Sequence, residues 1–273
     1  MKSLVTCFVV LASVSAPLLA DNIVYSSLPS GTYYNVPSEA FEETSTAEFG
    51  QGVSIGTSTG LAAAQILMSD WALESTYEGV GLTTGFDVPL TLTLYTVGSS
   101  NSVGAVIWSG TIDAHILWRP EDNPGCSGSA WMAPDGNCYH GLAQIVTFNM
   151  GGVAVPSEFI WGLSFNTTNY GASPTHVPGP YDSLNVGTSG GASIGSDLVV
   201  ASAFLNSGWA GAYGDLGAGG TGTFRLDPIG WAGYDPAAEF DAVPEPGSFG
   251  MMIGAALTLG LVFVRRRRQS PQR

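Results

Sequence analysis

Apolar and polar residues alternate with a period of two over much of this chain, a pattern typical of strands that bury one face. The clearest examples are the segments 88–97 and 158–166. The side chains expected to point inward are Leu90, Leu92 and Leu94 in the first segment and Trp161, Leu163 and Phe165 in the second. Similar patterns predict further strands over residues 103–116, 142–150, 184–186, 197–204 and 223–226.

Two apolar segments, 47–55 and 61–71, flank the turn sequence 56–60 and predict a β-hairpin. The stretch 61–73 also has high helix propensity. It is interpreted as a strand because its neighbours are strand-like and Gly60 offers no side chain that could cap a helix. About ten short strands joined by Gly-rich turns predict an all-β fold, an antiparallel β-sandwich or jelly roll over residues 21–242.

The first 20 residues have the layout of a secretory signal peptide. Lys2 precedes the apolar stretch 4–14, and Ala20 stands before the acidic Asp21. Cleavage by signal peptidase is expected after Ala20, so the protein is predicted to be exported.

The segment 243–273 combines a Pro-Glu-Pro triplet, an uncharged run over 249–264 and a cluster of arginines. A helix of that run would reach ~24 Å, slightly less than the ~30 Å hydrocarbon core of a bilayer. We expect a transmembrane helix over about 248–264 and a cytoplasmic basic tail over 265–273, because arginines do not cross cheaply. The triplet and the cluster are Pro244, Glu245, Pro246, Arg265, Arg266, Arg267 and Arg268.

This order of triplet, apolar run and arginines resembles the PEP-CTERM sorting signal of exopolysaccharide-producing Gram-negative bacteria. The resemblance implies transient anchoring in the inner membrane, cleavage by an exosortase that recognises residues 244–246, and transfer to the cell surface or extracellular matrix. An ordinary membrane anchor explains the helix and the arginines but not the triplet. The stretches 68–73, 116–120, 170–172, 179–186 and 219–225 also resemble a recurring bacterial secreted domain, a likeness that implies no activity.

Charge excludes one class of partner. Residues 21–243 contain 21 acidic side chains and two arginines, a formal charge of −19. Such a surface repels phosphate backbones, so nucleic-acid binding is not expected.

Cys126 and Cys138 are the only cysteines after the predicted signal peptide. Exported chains meet an oxidising compartment, and the turn residues between the two cysteines let the loop fold back, so we expect a disulfide. A zinc site or a catalytic thiol would need more ligands or partners nearby, and only His140 is close in sequence.

The motif Gly-x-Ser-x-Gly occurs around Ser58 and Ser193. A hydrolase nucleophile in this motif follows a strand and begins a helix, and no helical pattern follows either serine. Asp113 and His115 would share a strand face, but a triad needs a third partner that the sequence does not place. No catalytic residue is assigned, and the protein is predicted not to be an enzyme.

Two acidic clusters, 121–123 and 135–137, flank the cysteine loop and could jointly supply oxygen ligands to Ca²⁺. Neither has acidic residues at alternate positions as calcium loops do. No cofactor is assigned, and Ca²⁺ is kept as an alternative.

The sequence Gly-Trp-Ala-Gly occurs at 208–211 and at 230–233, with a tyrosine close behind each copy. Aromatic rings on such loops can stack on sugar faces, and the acidic domain favours a neutral polysaccharide. The alternative is that each indole folds back to cap an open end of the sandwich. The residues concerned are Trp209, Tyr213, Trp231 and Tyr234.

Three interpretations of function remain. The first is a non-enzymatic structural protein of the cell surface or matrix, the second a carbohydrate-binding module, and the third a secreted hydrolase. The first requires no feature beyond those described, and is preferred.

Overall fold

The computed structural model describes residues 22–41, 44, 46–77, 83–165, 180–207 and 223–244. Within these ranges the chain forms sixteen antiparallel strands and no α-helix. Three 3₁₀ turns lie at Glu74–Thr76, Ser99–Asn101 and Pro180–Ser183. No helix in the described part is long and apolar enough to span a membrane. The predicted signal peptide and the predicted span over 248–264 lie outside it.

The first sheet is built around one long strand, β4, that is hydrogen-bonded along both sides. One side of β4 pairs with β9 over its whole length, and the other side pairs with β16 and then with β11. Strand β1 extends the sheet beyond β16, and β2 and β15 both pair with β11. The strands of this sheet are β1 (Asn22–Ser26), β2 (Ser38–Ala40), β4 (Thr59–Asp70), β9 (Leu142–Val155), β11 (Leu184–Ser189), β15 (Asp235–Pro236) and β16 (Ala238–Ala242).

The second sheet has the order β14-β13-β3-β10-β5-β6, with β12 also paired to β3. Its strands are β3 (Thr46–Ser54), β5 (Gly85–Val97), β6 (Val103–Leu117), β10 (Glu158–Phe165), β12 (Ser196–Asp197), β13 (Ala203–Ser207) and β14 (Arg225–Asp227). A separate hairpin pairs β7 (Trp131–Met132) with β8 (Cys138–Tyr139).

The two sheets meet through aromatic and aliphatic side chains. Phe159 of the second sheet contacts Phe240 of the first edge to face, with ring centroids 5.1 Å apart. Tyr25 packs on the same phenylalanine at 6.1 Å. The side chains predicted to point inward from β5 and β10 are all buried in this core. The predicted all-β, antiparallel class is therefore confirmed, and the packing of the sheets is consistent with a β-sandwich.

The predicted hairpin around residues 56–60 is wrong, because β3 and β4 belong to different sheets. The main-chain amide of Ile55 donates instead to the carbonyl of Ser157 at 2.8 Å. The connections β3–β4 and β9–β10 thus cross between the sheets side by side. β3 pairs with β10 and β4 pairs with β9, so each of the two strands has a partner that is distant in sequence.

Interpretation of 61–73 as a strand is confirmed, since β4 covers most of it. Pairing on both sides outweighs the helix propensity of its alanines. The segment 197–204, predicted as one strand, is interrupted. The structure has β12 and β13 there, separated by a turn in which Ala201 adopts a positive φ of 55°.

Candidate functional site

The aromatic loop residues predicted to bind sugar divide into two groups. Trp209 and Tyr213 lie outside the described residues. Trp231 is 9% exposed and packs against Phe49, with ring centroids 6.2 Å apart. This burial against Phe49 favours the alternative for Trp231, an indole that caps the core. Tyr234 is 49% exposed.

Neither Gly-x-Ser-x-Gly motif has the geometry of a nucleophile elbow. Ser58 directly precedes β4, and Ser193 lies just before β12, so a strand and not a helix follows each serine. The Ser193 hydroxyl donates to the main-chain oxygen of Ser26 at 3.1 Å, which is a structural bond between loop and strand.

The partner of His115 is Asp87 on the adjacent strand, not Asp113. Nδ1 of His115 lies 2.8 Å from the Asp87 carboxylate, and Nε2 lies 3.2 Å from the Thr84 hydroxyl. This Asp–His–Thr arrangement has the order of a nucleophilic triad. All three residues are exposed, on or next to β5 and the edge strand β6, and none lines a described groove.

The acidic residues considered for calcium already have protein partners. Asp122 accepts from the Arg119 guanidinium at 2.9 Å. Asp135 accepts from the Asn137 main-chain amide at 2.9 Å and from the Tyr139 hydroxyl at 2.8 Å, and the first of these bonds lowers its pKa. Among the described residues, no group of three or more His, Cys, Asp or Glu side chains is placed to hold a metal ion.

The predicted disulfide is confirmed. Cys126 and Cys138 are bonded, with their Cα atoms 5.7 Å apart. The bond ties the loop after β6 to the first residue of β8 and so braces the β7–β8 hairpin. Trp131 on this hairpin donates from Nε1 to the main-chain oxygen of Gly141 at 2.9 Å. Together these bonds fix the hairpin and the residues that follow it against the first sheet.

Beside this hairpin lies a surface depression that we call the aromatic groove. Its volume is about 360 Å³. It is lined by Asn35, Val36, Pro37, Ser38, Trp71, Tyr139 and His140. Trp71 is 43% exposed, a large fraction for an indole, and its ring stacks on the His140 imidazole with centroids 5.7 Å apart and planes 18° apart.

Hydrogen bonds hold the Trp71 ring in one orientation. Its Nε1 donates to the Ser69 hydroxyl at 3.2 Å, and that hydroxyl donates to Oδ1 of Asn35 at 2.9 Å. Gly141 lies directly beneath these three groups. A Cβ there would lie 2.5 Å from both the Ser69 hydroxyl and the indole nitrogen and 2.7 Å from Asn35 Oδ1. The absence of a side chain at 141 is therefore required by the arrangement.

The backbone under Trp71 is fixed from the buried side. Arg119 is buried, and its Nε donates to the main-chain oxygen of Trp71 at 3.0 Å. The Arg119 amide donates to the oxygen of Ala72 at 3.1 Å. Asp70, fully buried, accepts from the Ala72 amide at 3.2 Å, and burial raises the pKa of its carboxyl well above the usual value.

A second groove of about 460 Å³ adjoins the aromatic groove through Asn35, Val36 and Pro37. It extends past Tyr33 to residues 188–191, at the end of β11 and in the loop that follows. Burial raises the pKa of the Tyr33 hydroxyl, which therefore stays protonated at neutral pH. The two depressions form one polar and aromatic surface along the segment 27–38.

The groups that line the aromatic groove are suited to binding a ligand. Its lining presents a fixed indole, an imidazole, a phenol and an amide, and it contains no carboxylate, cysteine or basic residue other than the histidine. A flat aromatic face beside amide and hydroxyl groups suits an uncharged ligand with one apolar face and hydroxyls at its edge.

Sequence reasoning missed the aromatic groove because its residues come from three separate stretches of chain. Trp71 stood out only as part of a strand, and His140 only as the histidine nearest the cysteines. One available signal was the polar run Ser69–Asp70 at the end of an apolar strand, where a tryptophan has no core to enter.

Comparisons of the chain with protein-family models, with curated proteins and with solved structures found no match.

Proposed function

We propose that this chain is a non-enzymatic protein of the cell surface or extracellular matrix, exported by an N-terminal signal and released through a PEP-CTERM signal at its C terminus. The support is the order of Pro244-Glu245-Pro246, an apolar run and Arg265–Arg268. Signal peptidase and an exosortase would be its processing partners, and the inner membrane its transient anchor. A disulfide-braced sandwich or jelly roll suits a role outside the cell, where thiols are oxidised.

The observation that carries this proposal is where the triplet begins. Strand β16 ends at Ala242 and is hydrogen-bonded to β4 on one side and β1 on the other. Val243 donates one further bond to the oxygen of Gly60 at 2.8 Å, and Pro244 is exposed. A cut at or after the triplet would therefore remove no strand from the described sheets, and the exposed Pro244 would be accessible to a processing enzyme.

Cell fractionation of three chains tests the sorting proposal. Wild type is expected at the cell surface or in the medium. Replacement of Pro244, Glu245 and Pro246 by alanine should hold the protein in the inner membrane, because the helix and arginines stay while the recognition triplet is lost. Gln269→Ala with Ser270→Ala is the matched control in the tail and should behave as wild type. Equal release of all three chains would overturn the proposal.

A second candidate function, carbohydrate binding, is favoured by the aromatic groove. The fixed and exposed Trp71 ring offers an apolar plane, and Asn35 and Tyr139 offer polar groups beside it. The formal charge of −19 over residues 21–243 opposes anionic polymers, whereas neutral sugars lose little by approaching an acidic surface. We infer a neutral polysaccharide as the ligand class, at this groove and not at the loop of Trp231.

Affinity electrophoresis in gels that contain a neutral glucan or galactomannan tests the binding proposal, with alginate as the anionic comparison. Trp71→Ala should lose most of the retardation, with an affinity about 5- to 150-fold weaker, because stacking area of this size contributes ~1–3 kcal/mol. Ile229→Ala, which removes an exposed apolar side chain elsewhere, is the matched control. Tyr234→Ala distinguishes binding at the aromatic groove from binding at the Gly-Trp-Ala-Gly loop of residues 230–233. Retardation that is unchanged in Trp71→Ala, or seen only in alginate, would contradict the proposal.

A further inference from the structure

Two carboxylates both lie close to Gly191, in the loop after β11 and beside β12 and β15. If Gly191 had a Cβ, it would lie 3.1 Å from Oδ2 of Asp197 and 3.6 Å from Oδ2 of Asp235. Asp197 lies on β12 in the second sheet, and Asp235 on β15 in the first. The pair therefore spans the two sheets at this edge.

The two carboxylates differ in how well they are satisfied. Asp197 accepts from the Tyr25 hydroxyl at 2.6 Å through Oδ1 and from the Ala192 amide at 3.1 Å through Oδ2. Asp235 is only 3% exposed, yet its Oδ1 is buried with no hydrogen-bond partner. Burial, and next the charge of Asp197, raise the pKa of Asp235 to about 6. A main-chain hydrogen bond from Ser202 acts in the opposite direction and lowers this pKa, but Oδ1 of Asp235 remains without a partner.

An unpartnered hydroxyl lies next to the same carboxylate. Ser189 on β11 is directly opposite Asp235 in the antiparallel pair, so both side chains are on one face of the sheet. The Ser189 Oγ is also buried without a partner. Neither side chain bonds to the other, although they are cross-strand neighbours. Ser189 and Gly191 line the second groove, so this space can be reached from solvent.

We propose that Asp197, Asp235 and Ser189 bind a hard divalent cation, Ca²⁺, at this position. All three contribute oxygen ligands, which Ca²⁺ prefers, and water and main-chain oxygens commonly complete its six to eight ligands. A cation would satisfy the unpartnered oxygens and offset the repulsion between the carboxylates. It would also link β12 to β15 and so fasten one sheet to the other. This site is separate from the clusters at 121–123 and 135–137.

Terbium luminescence and thermal unfolding of the full chain in detergent test this site. Tb³⁺ substitutes for Ca²⁺ in oxygen sites, and the Tyr25 ring beside Asp197 would sensitise its emission. Wild type is expected to show emission that Ca²⁺ displaces, and a Tm that rises with Ca²⁺. Asp235→Asn should weaken Ca²⁺ binding at least tenfold. Ser189→Ala, which leaves the net charge unchanged, should weaken Ca²⁺ binding by a smaller factor. Asp113→Asn, on the outer strand β6, is the matched control and should bind as wild type.

Two results would overturn the proposal. One is emission and a Ca²⁺-dependent Tm that persist in both Asp235→Asn and Ser189→Ala, which would mean weak binding to surface carboxylates. The other is a wild-type Tm that ignores Ca²⁺ but depends on pH, with the pH dependence lost in Asp235→Asn. That outcome would mean that the carboxylate pair shares a proton and not a cation. If Asp235→Asn does not fold, the Ser189→Ala comparison decides.

Discussion

The buried guanidinium of Arg119 donates to the main-chain oxygen of Trp71 at 3.0 Å, while the indole of Trp71 is 43% exposed. A buried cation thus holds the backbone at Trp71, and Trp71 is the most exposed tryptophan among the described residues. A ring held in this way loses little conformational entropy when a ligand stacks on it. This relationship makes the aromatic groove a preorganised surface.

Alanine at position 141 should disturb the groove although no lining residue is replaced. Gly141→Ala places a Cβ against Ser69, Trp71 and Asn35, so we expect a loss of ~1–3 kcal/mol in unfolding free energy and a reoriented indole. Chemical denaturation measures the first effect and tryptophan fluorescence the second. Gly190→Ala is the matched control, because no atom lies within 4 Å of a Cβ there. Equal stability and equal spectra for the two variants would refute the described packing.

The disulfide should contribute both stability and groove geometry. Closing a loop with a sequence separation of 12 contributes about 3 kcal/mol by the loop-entropy estimate. Cys126→Ser with Cys138→Ser should lower the unfolding free energy by about that amount and loosen Tyr139 and His140. Thiol labelling of denatured, unreduced wild type should detect no free cysteine outside the predicted signal peptide. Two labelled thiols per mature chain would contradict the structure.

Glu48 should make stability depend on pH. Its carboxyl is buried, accepts from the Tyr95 hydroxyl at 2.8 Å, and occupies space that a side chain at Gly162 would fill. Burial raises its pKa from 4.5 to about 7. The folded state therefore holds this proton more tightly than the unfolded state. The resulting contribution of Glu48 to the unfolding free energy is fully present below pH 4.5 and is lost as pH rises to 7.

A substitution distinguishes the pH dependence of stability caused by Glu48 from that caused by the other buried acids. Burial raises the pKa of Asp70 and Asp235 in the same direction. Glu48→Gln keeps an acceptor for Tyr95 and should remove up to ~3 kcal/mol of the pH dependence between pH 4.5 and 7, measured by urea unfolding at several pH values. Glu158→Gln, on an exposed position, should leave the slope unchanged. A slope that is the same in Glu48→Gln and wild type would disprove this origin.

The Asp87–His115–Thr84 arrangement allows the non-enzymatic proposal to be tested. A fluorophosphonate probe reacts with hydroxyls that a histidine activates. We expect no labelling of Thr84, because Thr84, His115 and Asp87 are exposed and line none of the described grooves. Labelling that is abolished in His115→Ala would show an active nucleophile and contradict the proposal.

Local patterns predicted the strands but not their partners. The leucines of β5 alternate strictly, and all three are buried as the pattern requires. The hairpin at 56–60 was predicted wrongly, since alternation reports which face is buried and not which strand lies alongside. Its glycines and small polar residues serve a crossing between sheets as readily as a tight turn.

The candidate groove was beyond sequence reasoning for a related reason. Trp231 was chosen for its Gly-rich loop, yet the indole folds back onto Phe49 in the core. Trp71 looked like a strand residue, and only the tertiary contacts show that it lies just past the end of β4 with no core to enter. The disulfide, in contrast, followed from composition, because two cysteines in an exported chain have one available pairing.

The measurement that tests the central claim most directly is the intact mass of the protein recovered from the cell surface or the medium. The account predicts a chain that lacks residues 1–20 and ends within or just after Pro244–Pro246, without the apolar run and without Arg265–Arg268. A recovered chain that still ends at Arg273 would contradict the claim that this protein is processed at its C terminus and released.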